Sequence, residues 1–233
     1  MIKVENYSKS YSGKKVVDNI SFTVEDGEIF GFIGHNGAGK TTTIKSIVGI
    51  LDFEEGRVLI NGMDIKKQPI ECKKLLAYIP DNPDIYENLK AIEYLNFIAD
   101  IYNVSRETRL DRFRKYADLF GMTEYLGDEI STYSHGMKQK LVIIAALVHD
   151  PKIIIFDEPF VGLDPKAVFD LKEVMRKLCE TGASIFFSTH ILDVAERLCD
   201  KVAIIKSGKI VKIGKMEEIK GDSSLENVFL ELV

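Results

Sequence analysis

The chain has 233 residues, of which 45% are hydrophobic, and this is enough to bury the core of one globular unit. Its formal net charge is −5 and its basic residues are spread along the chain, which argues against a nucleic-acid-binding surface. No apolar run approaches the ~20 residues that cross a bilayer, and no signal-peptide core is expected. Three scattered cysteines, Cys72, Cys179 and Cys199, are predicted to be buried, free thiols in a reducing compartment. Any work at a membrane would therefore need another chain to span it.

The first part of the chain is predicted to be rich in strands and to lead into a helix. Apolar and polar residues alternate over 20–25, which is the period of a half-buried strand. The apolar run 29–33 is typical of a buried strand, and residues 40–48 are expected to form a helix. A further strand is predicted at 58–60, followed by a hairpin turn at 61–62.

The middle of the chain, residues 86–148, is predicted to be helical throughout. Apolar residues recur about every three positions over 89–101 and again over 110–120, as on amphipathic helices. Ser134 is a candidate N-cap for a further helix that runs to about residue 149. We expect this segment to form a helical lobe of its own.

Strands and helices alternate after residue 150. Strands are predicted at 153–156, 184–187 and 202–205, and helices at about 165–180 and 191–199. This alternation implies a mostly parallel sheet with helical crossovers. The predicted fold class is therefore α/β, with the helical lobe inserted into the core.

A phosphate-binding loop is predicted between the strand at 29–33 and the helix that follows. Residues 34–41 fit G-x-x-x-x-G-K-[ST] in full, in the strand-to-helix context that this motif requires. Its glycines let several backbone N–H groups face one oxyanion, and the positive end of the helix adds to the attraction. Lys40 would neutralise the outer phosphates, and the Thr41 hydroxyl would ligate Mg²⁺. The predicted ligands for ATP and Mg²⁺ in this loop are Asn36, Gly37, Ala38, Gly39, Lys40, Thr41 and Thr42.

Two of the later strands end in residues suited to phosphate hydrolysis. Asp157 and Glu158 follow the apolar strand at 153–156, and ligands gather at this end of the strands in a parallel sheet. Asp157 is predicted to hold Mg²⁺, and Glu158 to orient and polarise the attacking water. His190 ends the next strand at the same edge, and we expect it to contact the γ-phosphate. The predicted catalytic residues are thus Lys40, Glu158 and His190.

With these elements in order, the sequence resembles the ATP-binding cassette (ABC) family, specifically its transporter ATPase subunits, over residues 2–215. The resemblance implies a P-loop NTPase core with a mostly parallel sheet, an antiparallel N-terminal β subdomain and an inserted helical subdomain at 86–148. Together they would form a single ABC ATPase domain, residues 1–233. It also implies that Tyr11 stacks on the adenine, with Val17 nearby.

The signature motif of that family, Leu-Ser-Gly-Gly-Gln, is similar to Tyr-Ser-His-Gly-Met at residues 133–137. Ser134 and Gly136 are kept, whereas a histidine and a methionine replace the other glycine and the glutamine. The resemblance implies that this loop binds the γ-phosphate held by a second cassette, and a helix N-terminus with a hydroxyl suits an anion. Without the resemblance to the family, the sequence would indicate only that Ser134 caps a helix. Residues 162–165 match the family's D-loop, so Asp164 is expected at the dimer interface, as a helix N-cap, or in both roles.

The largest departure from the family lies at Asp81, where a glutamine is usual. In the family this residue meets Mg²⁺ and the water, and its loop borders the groove that receives the membrane subunit. Asp81 is therefore expected to contact Mg²⁺, directly or through water, and to sense the nucleotide. The alternative is that it only caps the turn that continues with Asn82 and Pro83.

The sequence thus predicts an ATP-binding and ATP-hydrolysing subunit of an ABC transporter. The resemblance implies that two copies sandwich two Mg-ATP and drive separate transmembrane permease subunits, from the cytoplasmic face of the cell membrane. Export is the favoured direction, because the signature loop is altered and about twenty residues follow Gly214, which leaves no room for a regulatory domain. A soluble ABC-type ATPase that acts on DNA or the ribosome is the alternative. Such proteins carry coiled-coil arms, zinc-binding cysteines or a second phosphate loop. None of these features is found in the sequence.

Overall fold

The computed structural model describes residues 1–232, whose strands form a four-stranded and a six-stranded sheet. The strands of the first sheet are β1 (Ile2–Tyr11), β2 (Lys14–Val24), β4 (Glu55–Ile60) and β5 (Met63–Asp64). Those of the second are β3 (Ile29–Ile33), β6 (Leu76–Ile79), β7 (Ile153–Asp157), β8 (Ser184–Thr189), β9 (Lys201–Lys206) and β10 (Lys209–Lys215). The strand orders are β2-β1-β4-β5 and β10-β9-β3-β8-β7-β6.

The first sheet is antiparallel and the second is mostly parallel, as predicted. In the first, β1 pairs antiparallel with both β2 and β4. In the second, β3 pairs in parallel with β8 and β9, β7 pairs in parallel with β8, and only β10 is antiparallel to its neighbour β9 among the pairings with a described register. The carboxyl ends of β3, β7 and β8 therefore meet at one edge of the sheet, where ligands gather in such folds.

Helices connect the strands and fill the middle of the chain. They are α1 (Lys40–Ile47), α2 (Pro69–Leu75), α3 (Ala91–Ile101), α4 (Arg106–Leu119), α5 (His135–Val148), α6 (Pro165–Glu180), α7 (Leu192–Leu198), α8 (Met216–Lys220) and α9 (Leu225–Leu232). Within residues 1–232, none of these helices has the length and apolar character that crossing a membrane would take. The α/β fold class predicted from the alternation of strands and helices is confirmed.

The chain divides into two units. The first contains Met1–Tyr78, Lys152–Pro159 and the segment that begins at Met175. The second contains Ile79–Pro151 and Phe160–Val174, so that it includes α3, α4 and α5 and is wider than the predicted segment 86–148.

An aromatic cluster lies at the centre of the first unit. Phe22 of β2 stacks on Phe186 of β8, with ring centroids 5.5 Å apart and planes 13° apart. Phe30 and Phe32 of β3 lie 5.4 and 5.6 Å from the same Phe22 ring. Burying each of these side chains contributes about 1.5–3 kcal/mol, so this cluster joins the antiparallel sheet to the parallel one.

The buried face of α3 differs from the pattern predicted for it. The side chains that are buried belong to Ala91, Tyr94, Leu95 and Ala99, whereas Ile101 is exposed. Because a helix turns once per 3.6 residues, a strict three-residue repeat moves about 60° around the axis at each step. Residues at the end of such a repeat therefore leave the buried face, as Ile101 does.

The three cysteines are buried and free, as the sequence indicated. Burial raises the pKa of the Cys179 thiol to about 12 and that of Cys199 well above its ordinary value. These thiols are therefore protonated and behave as small apolar side chains.

Candidate active site

Residues 34–39 form a loop between β3 and α1, and residues 40–41 begin the helix, in the place where the motif predicts the phosphate site. Gly39 precedes α1 with a φ of 107°, a conformation that residues with side chains rarely adopt. A Cβ atom at Gly39 would also lie only 3.0 Å from Cγ2 of Val17. Val17 has no exposed surface and contacts the loop from the protein interior, and its place near the adenine stays a prediction.

The other predicted phosphate ligands lie along the same loop. The side chains or backbone of Asn36, Gly37 and Thr41 are exposed, Thr42 is half-buried and Ala38 is buried. The amide of Ala38 donates to the carbonyl of His35 at 3.1 Å, and the carbonyl of Ala38 accepts from the amide of Gly208 at 3.0 Å. These bonds hold the loop in its turn from both sides.

Lys40 turns its ammonium group into the loop. Its Nζ donates to the carbonyl of Gly34 at 2.7 Å and to that of His35 at 3.3 Å, and it lies 3.3 Å from Oε1 of Glu158. The side chain is only 6% exposed. A buried cation held by two carbonyls and one carboxylate is placed to exchange these partners for a phosphate oxygen, which carries more negative charge.

Both predicted acids at the end of β7 are bonded to Ser188 of the neighbouring strand. The Ser188 hydroxyl donates to Oδ1 of Asp157, which is buried. The amide of Glu158 donates to the carbonyl of Ser188 at 3.2 Å and to its Oγ at 3.1 Å. Ser188 was not among the predicted site residues, although the run Ser-Thr-His at the end of β8 was the available signal.

Glu158 has a left-handed backbone that directs its carboxylate to two other site residues. Its φ is 51°, which costs a residue with a side chain about 1–2 kcal/mol. The two bonds to Ser188 stabilise this conformation. The Oε2 atom then lies 3.0 Å from Nδ1 of His190 and accepts from the His190 amide at 3.3 Å, while Oε1 faces Lys40. The structure thus brings Lys40, Glu158 and His190 together.

This arrangement is suited to moving a proton from water. The Glu158 side chain is 13% exposed, and the His190 side chain beside it is 49% exposed. A carboxylate held on both sides can orient a water molecule and accept its proton, and a half-exposed imidazole can reach a bound phosphate.

The oxygen donors at this edge fit Mg²⁺. Thr41 lies in the first turn of α1 and Asp157 is the last residue of β7, and their hydroxyl and carboxylate groups are hard oxygen ligands. No group of three or more His, Cys, Asp or Glu side chains in residues 1–232 is arranged to hold a metal ion. Mg²⁺ commonly takes one or two protein oxygens and completes its shell with phosphates and water, so these residues fit an ion that arrives with a nucleotide.

In the second unit, the loop at Ser134 packs directly on the loop at Gly162. Ser134 caps α5, because its Oγ accepts from the amide of Met137 at 3.3 Å. A Cβ atom at Gly136 would lie 2.7 Å from the carbonyl oxygen of Gly162, and one at Gly162 would lie 2.6 Å from Cδ2 of His135. The histidine that departs from the family motif therefore contacts the loop that leads to Asp164.

Asp164 caps a helix, which is one of the two roles that the sequence predicts for it. Its Oδ1 accepts from the amide of Ala167 at 2.9 Å, at the start of α6, and its Oδ2 pairs with Nζ of Lys140 at 2.7 Å. The Lys140 ammonium, together with the Ala167 amide, holds the pKa of the Asp164 carboxyl below its usual range. The cap and the ion pair leave the carboxylate half-exposed, and its place at a dimer interface stays a prediction.

The two remaining predicted ligands are exposed. Tyr11 ends β1 with 46% of its surface exposed, and Nζ of Lys9 lies 5.3 Å from the centre of its ring. An open aromatic face of this kind can stack on a base. Asp81, in the second unit, lies in an exposed turn after Pro80, whose carbonyl accepts from Nε2 of the buried Gln139 at 3.3 Å. Its contact with Mg²⁺ stays a prediction.

Comparison with known proteins identifies the family. The sequence matches the ABC transporter family over residues 17–161. It is 38% identical over 237 residues to the ABC-type transporter ATP-binding protein EcsA of Bacillus subtilis (strain 168), which covers 100% of this chain and 96% of that protein. A solved ATP-binding subunit of an ABC transporter superposes with a TM-score of 0.96 at 36% identity, over 100% of this chain and 99% of that one.

A further solved structure has the same fold at lower identity. The dimeric ATP-binding cassette MJ0796, in a post-hydrolysis state bound to ADP and phosphate, superposes with a TM-score of 0.84 at 22% identity. The match covers 93% of this chain and 99% of that one. With the phosphate loop, the acidic strand end and His190 assembled at one sheet edge, the family match completes the identification. This chain belongs to the ABC transporter family as one of its ATP-binding subunits, which hydrolyse ATP.

Proposed function

We propose that Lys40, Glu158 and His190 carry out the ATP hydrolysis of this subunit, with the phosphates bound along residues 34–41. The observation that carries the proposal is the position of the Glu158 carboxylate between the other two side chains, 3.3 Å from Nζ of Lys40 and 3.0 Å from Nδ1 of His190. When the triphosphate binds, its charge attracts Lys40 away from Glu158. The released carboxylate then accepts a proton from the attacking water, and His190 contacts the γ-phosphate.

Mg²⁺ would be held by the Thr41 hydroxyl and the Asp157 carboxylate, with Asp81 as a further contact. Bound there, the ion neutralises charge on the outer phosphates and fixes their orientation. The Ser188 hydroxyl holds Asp157 in place for this role, and Tyr11 offers an exposed ring for the adenine. The surroundings of Asp157 also keep its carboxylate inside the protein, away from competing water.

We propose further that the subunit works as an ATP-dependent homodimer. The Ser134 loop is exposed and ends in the N-terminus of α5, which is a helix of 14 residues and favours an anion. Because this loop packs on Gly162, the Ser134 and Asp164 loops would meet a partner as one surface. The solved MJ0796 cassette, which has the same fold, is dimeric with ADP and phosphate bound and provides a precedent for a dimer of this fold.

The proposed membrane partner is a separate permease, which would place the subunit at the cytoplasmic face of the cell membrane. In the second unit, Tyr86 and Phe97 expose 62% and 43% of their surface and form an edge-to-face pair at 5.8 Å. With Asn88 and Leu89 they line a cavity of about 390 Å³. Exposed aromatic clusters of this kind are typical of interaction sites, and this one follows Asp81 closely in the chain. We propose export as the direction of transport, because the signature loop at residues 133–137 is altered.

Replacing Glu158 by glutamine tests the proposed hydrolysis and the dimer together. The amide keeps the shape of the side chain and loses its basicity, so we expect ATP to bind and turnover to fall about 10²–10⁴-fold. Dimers should then accumulate with Mg-ATP, as measured by size-exclusion chromatography with light scattering. Glu180→Gln, an exposed position at the end of α6, provides the matched control and should behave as the native chain. A Glu158→Gln protein that binds Mg-ATP and remains a monomer at every concentration would contradict the sandwich.

A further inference from the structure

The helix α9 contacts the phosphate loop through one aromatic pair. The ring of Phe229 lies 5.0 Å from the imidazole of His35, centre to centre, with the planes at 68°, which is an edge-to-face geometry. Phe229 is only 6% exposed, whereas His35 lies at the surface. A buried ring on α9 thus fixes a side chain that belongs to the nucleotide-binding motif.

His35 is the residue from which the first turn of the loop is built. Its carbonyl accepts from the amide of Ala38 at 3.1 Å and from Nζ of Lys40 at 3.3 Å. A displacement of His35 would therefore move the amides of the cradle and the catalytic cation together. A side chain that restrains His35 restrains both.

The helix α9 is itself held in place at both ends. At its start, Oε2 of Glu196 on α7 accepts from the amide of Leu225 at 2.9 Å, while Oε1 pairs with Nζ of Lys220 at 2.8 Å. At its end, Nζ of Lys206 donates to the carbonyl of Leu232 at 3.2 Å. A helix with both ends fixed gives Phe229 a defined position against the loop.

We infer that Phe229 is a positioning residue for ATP binding, which holds the phosphate loop through His35 in the conformation that receives the nucleotide. The inference rests on the proposed role of residues 34–41 as the triphosphate site. A cradle that is ordered before the ligand arrives loses less conformational freedom on binding, so its loss weakens binding more than it slows the chemical step. Phe229 has no part in the chemistry, because Glu158 and His190 carry it.

Phe229→Ala tests this role, and its neighbour provides the control. Leu230 lies on the same helix with 70% of its surface exposed, so Leu230→Ala makes a comparable change without touching the loop. If ATP binding weakens by the free energy of one aromatic pair, Phe229→Ala should raise KM for Mg-ATP about threefold to tenfold. The value of kcat should change by less than about twofold. Backbone amide exchange over 34–41 should become faster, whereas Leu230→Ala should match the native chain in all three measurements.

A double-mutant cycle separates this contact from general loss of packing. If Phe229 acts through His35, then His35→Ala and Phe229→Ala together should raise KM no more than the larger single effect. Phe229→Leu keeps the helix packed and removes the ring, so it gives the same test if Phe229→Ala does not fold. Additive effects on KM, or native amide exchange over 34–41 in a folded Phe229 variant, would overturn the inference. A native chain that does not bind Mg-ATP would instead refute the proposed site itself.

Discussion

Ser188 provides the sharpest test of the site, because one hydroxyl bonds both acids at the end of β7. It donates to Oδ1 of Asp157 and accepts from the amide of Glu158 at 3.1 Å, and its side chain is fully buried. Ser188→Ala removes both bonds and leaves the Glu158 amide with the Ser188 carbonyl alone, at 3.2 Å. We expect the variant to fold with Asp157 and Glu158 less firmly oriented.

The size of the effect follows from the charge on Asp157. A hydrogen bond to a charged group contributes about 1.5–3 kcal/mol. If that energy is lost where Asp157 and Glu158 act, kcat/KM falls by about tenfold to hundredfold, and the apparent affinity for Mg²⁺ falls with it. For a chain of this length each kcal/mol shifts Tm by about 2–4 °C, so Tm should fall by roughly 3–12 °C.

Ser184 offers a matched control on the same strand. It is also fully buried, and its hydroxyl donates to Oδ1 of Asp26 at 3.1 Å, at the opposite end of β8 from the site. Ser184→Ala should lower Tm while ATPase activity titrated with Mg²⁺ stays native. Native kcat/KM and Mg²⁺ affinity in Ser188→Ala, or equal losses in both variants, would refute the assignment of Ser188 to the site.

Substitutions at two further positions test the remaining assignments. Lys40→Ala removes the cation that faces Glu158 and the loop carbonyls, so tight ATP binding or hydrolysis should be lost; an ATPase assay that shows normal turnover would refute the phosphate site. Asp81→Asn should make ATP affinity less dependent on Mg²⁺, because a carboxylate near the triphosphate is tolerable only with the ion between them. Asp81→Gln, the usual family residue, should keep ATPase activity. Titrations of ATP with and without Mg²⁺ decide the question, and an identical Mg²⁺ effect in native chain and Asp81→Asn would leave Asp81 as a turn residue.

The sequence predicted the parts of the site that local rules determine. The loop at 34–41 has its own backbone requirements, so its glycines and Lys40 were readable without any tertiary information. The meeting of Glu158 and His190 followed from topology, because each ends a strand and the strands were expected to be parallel. Both inferences needed only the element order, which strong apolar runs made clear.

The contacts that were missed depend on register and on distant segments. Ser188 lies beside Asp157 because these two residues are paired between β7 and β8, and the sequence does not reveal the register of two strands that are buried along their whole length. The contact between His35 and Phe229 joins residues at opposite ends of the chain. Val17 was assigned to the adenine from its place in the sequence, whereas its burial beneath Gly39 depends on how β2 packs on the loop.

The same pairing that places Ser188 also helps to specify the sheet. Both β7 and β8 are buried along their whole length, so apolar faces alone do not distinguish one register from the next. A slip by one residue in one direction would set Phe187, which has no hydroxyl, opposite Asp157. Losing a hydrogen bond to a buried carboxylate costs about 1.5–3 kcal/mol, a large fraction of the stability of a typical domain. The Ser188 bond therefore disfavours that slipped register, and the acid that we propose as a metal ligand contributes to the strand alignment on which its own position depends.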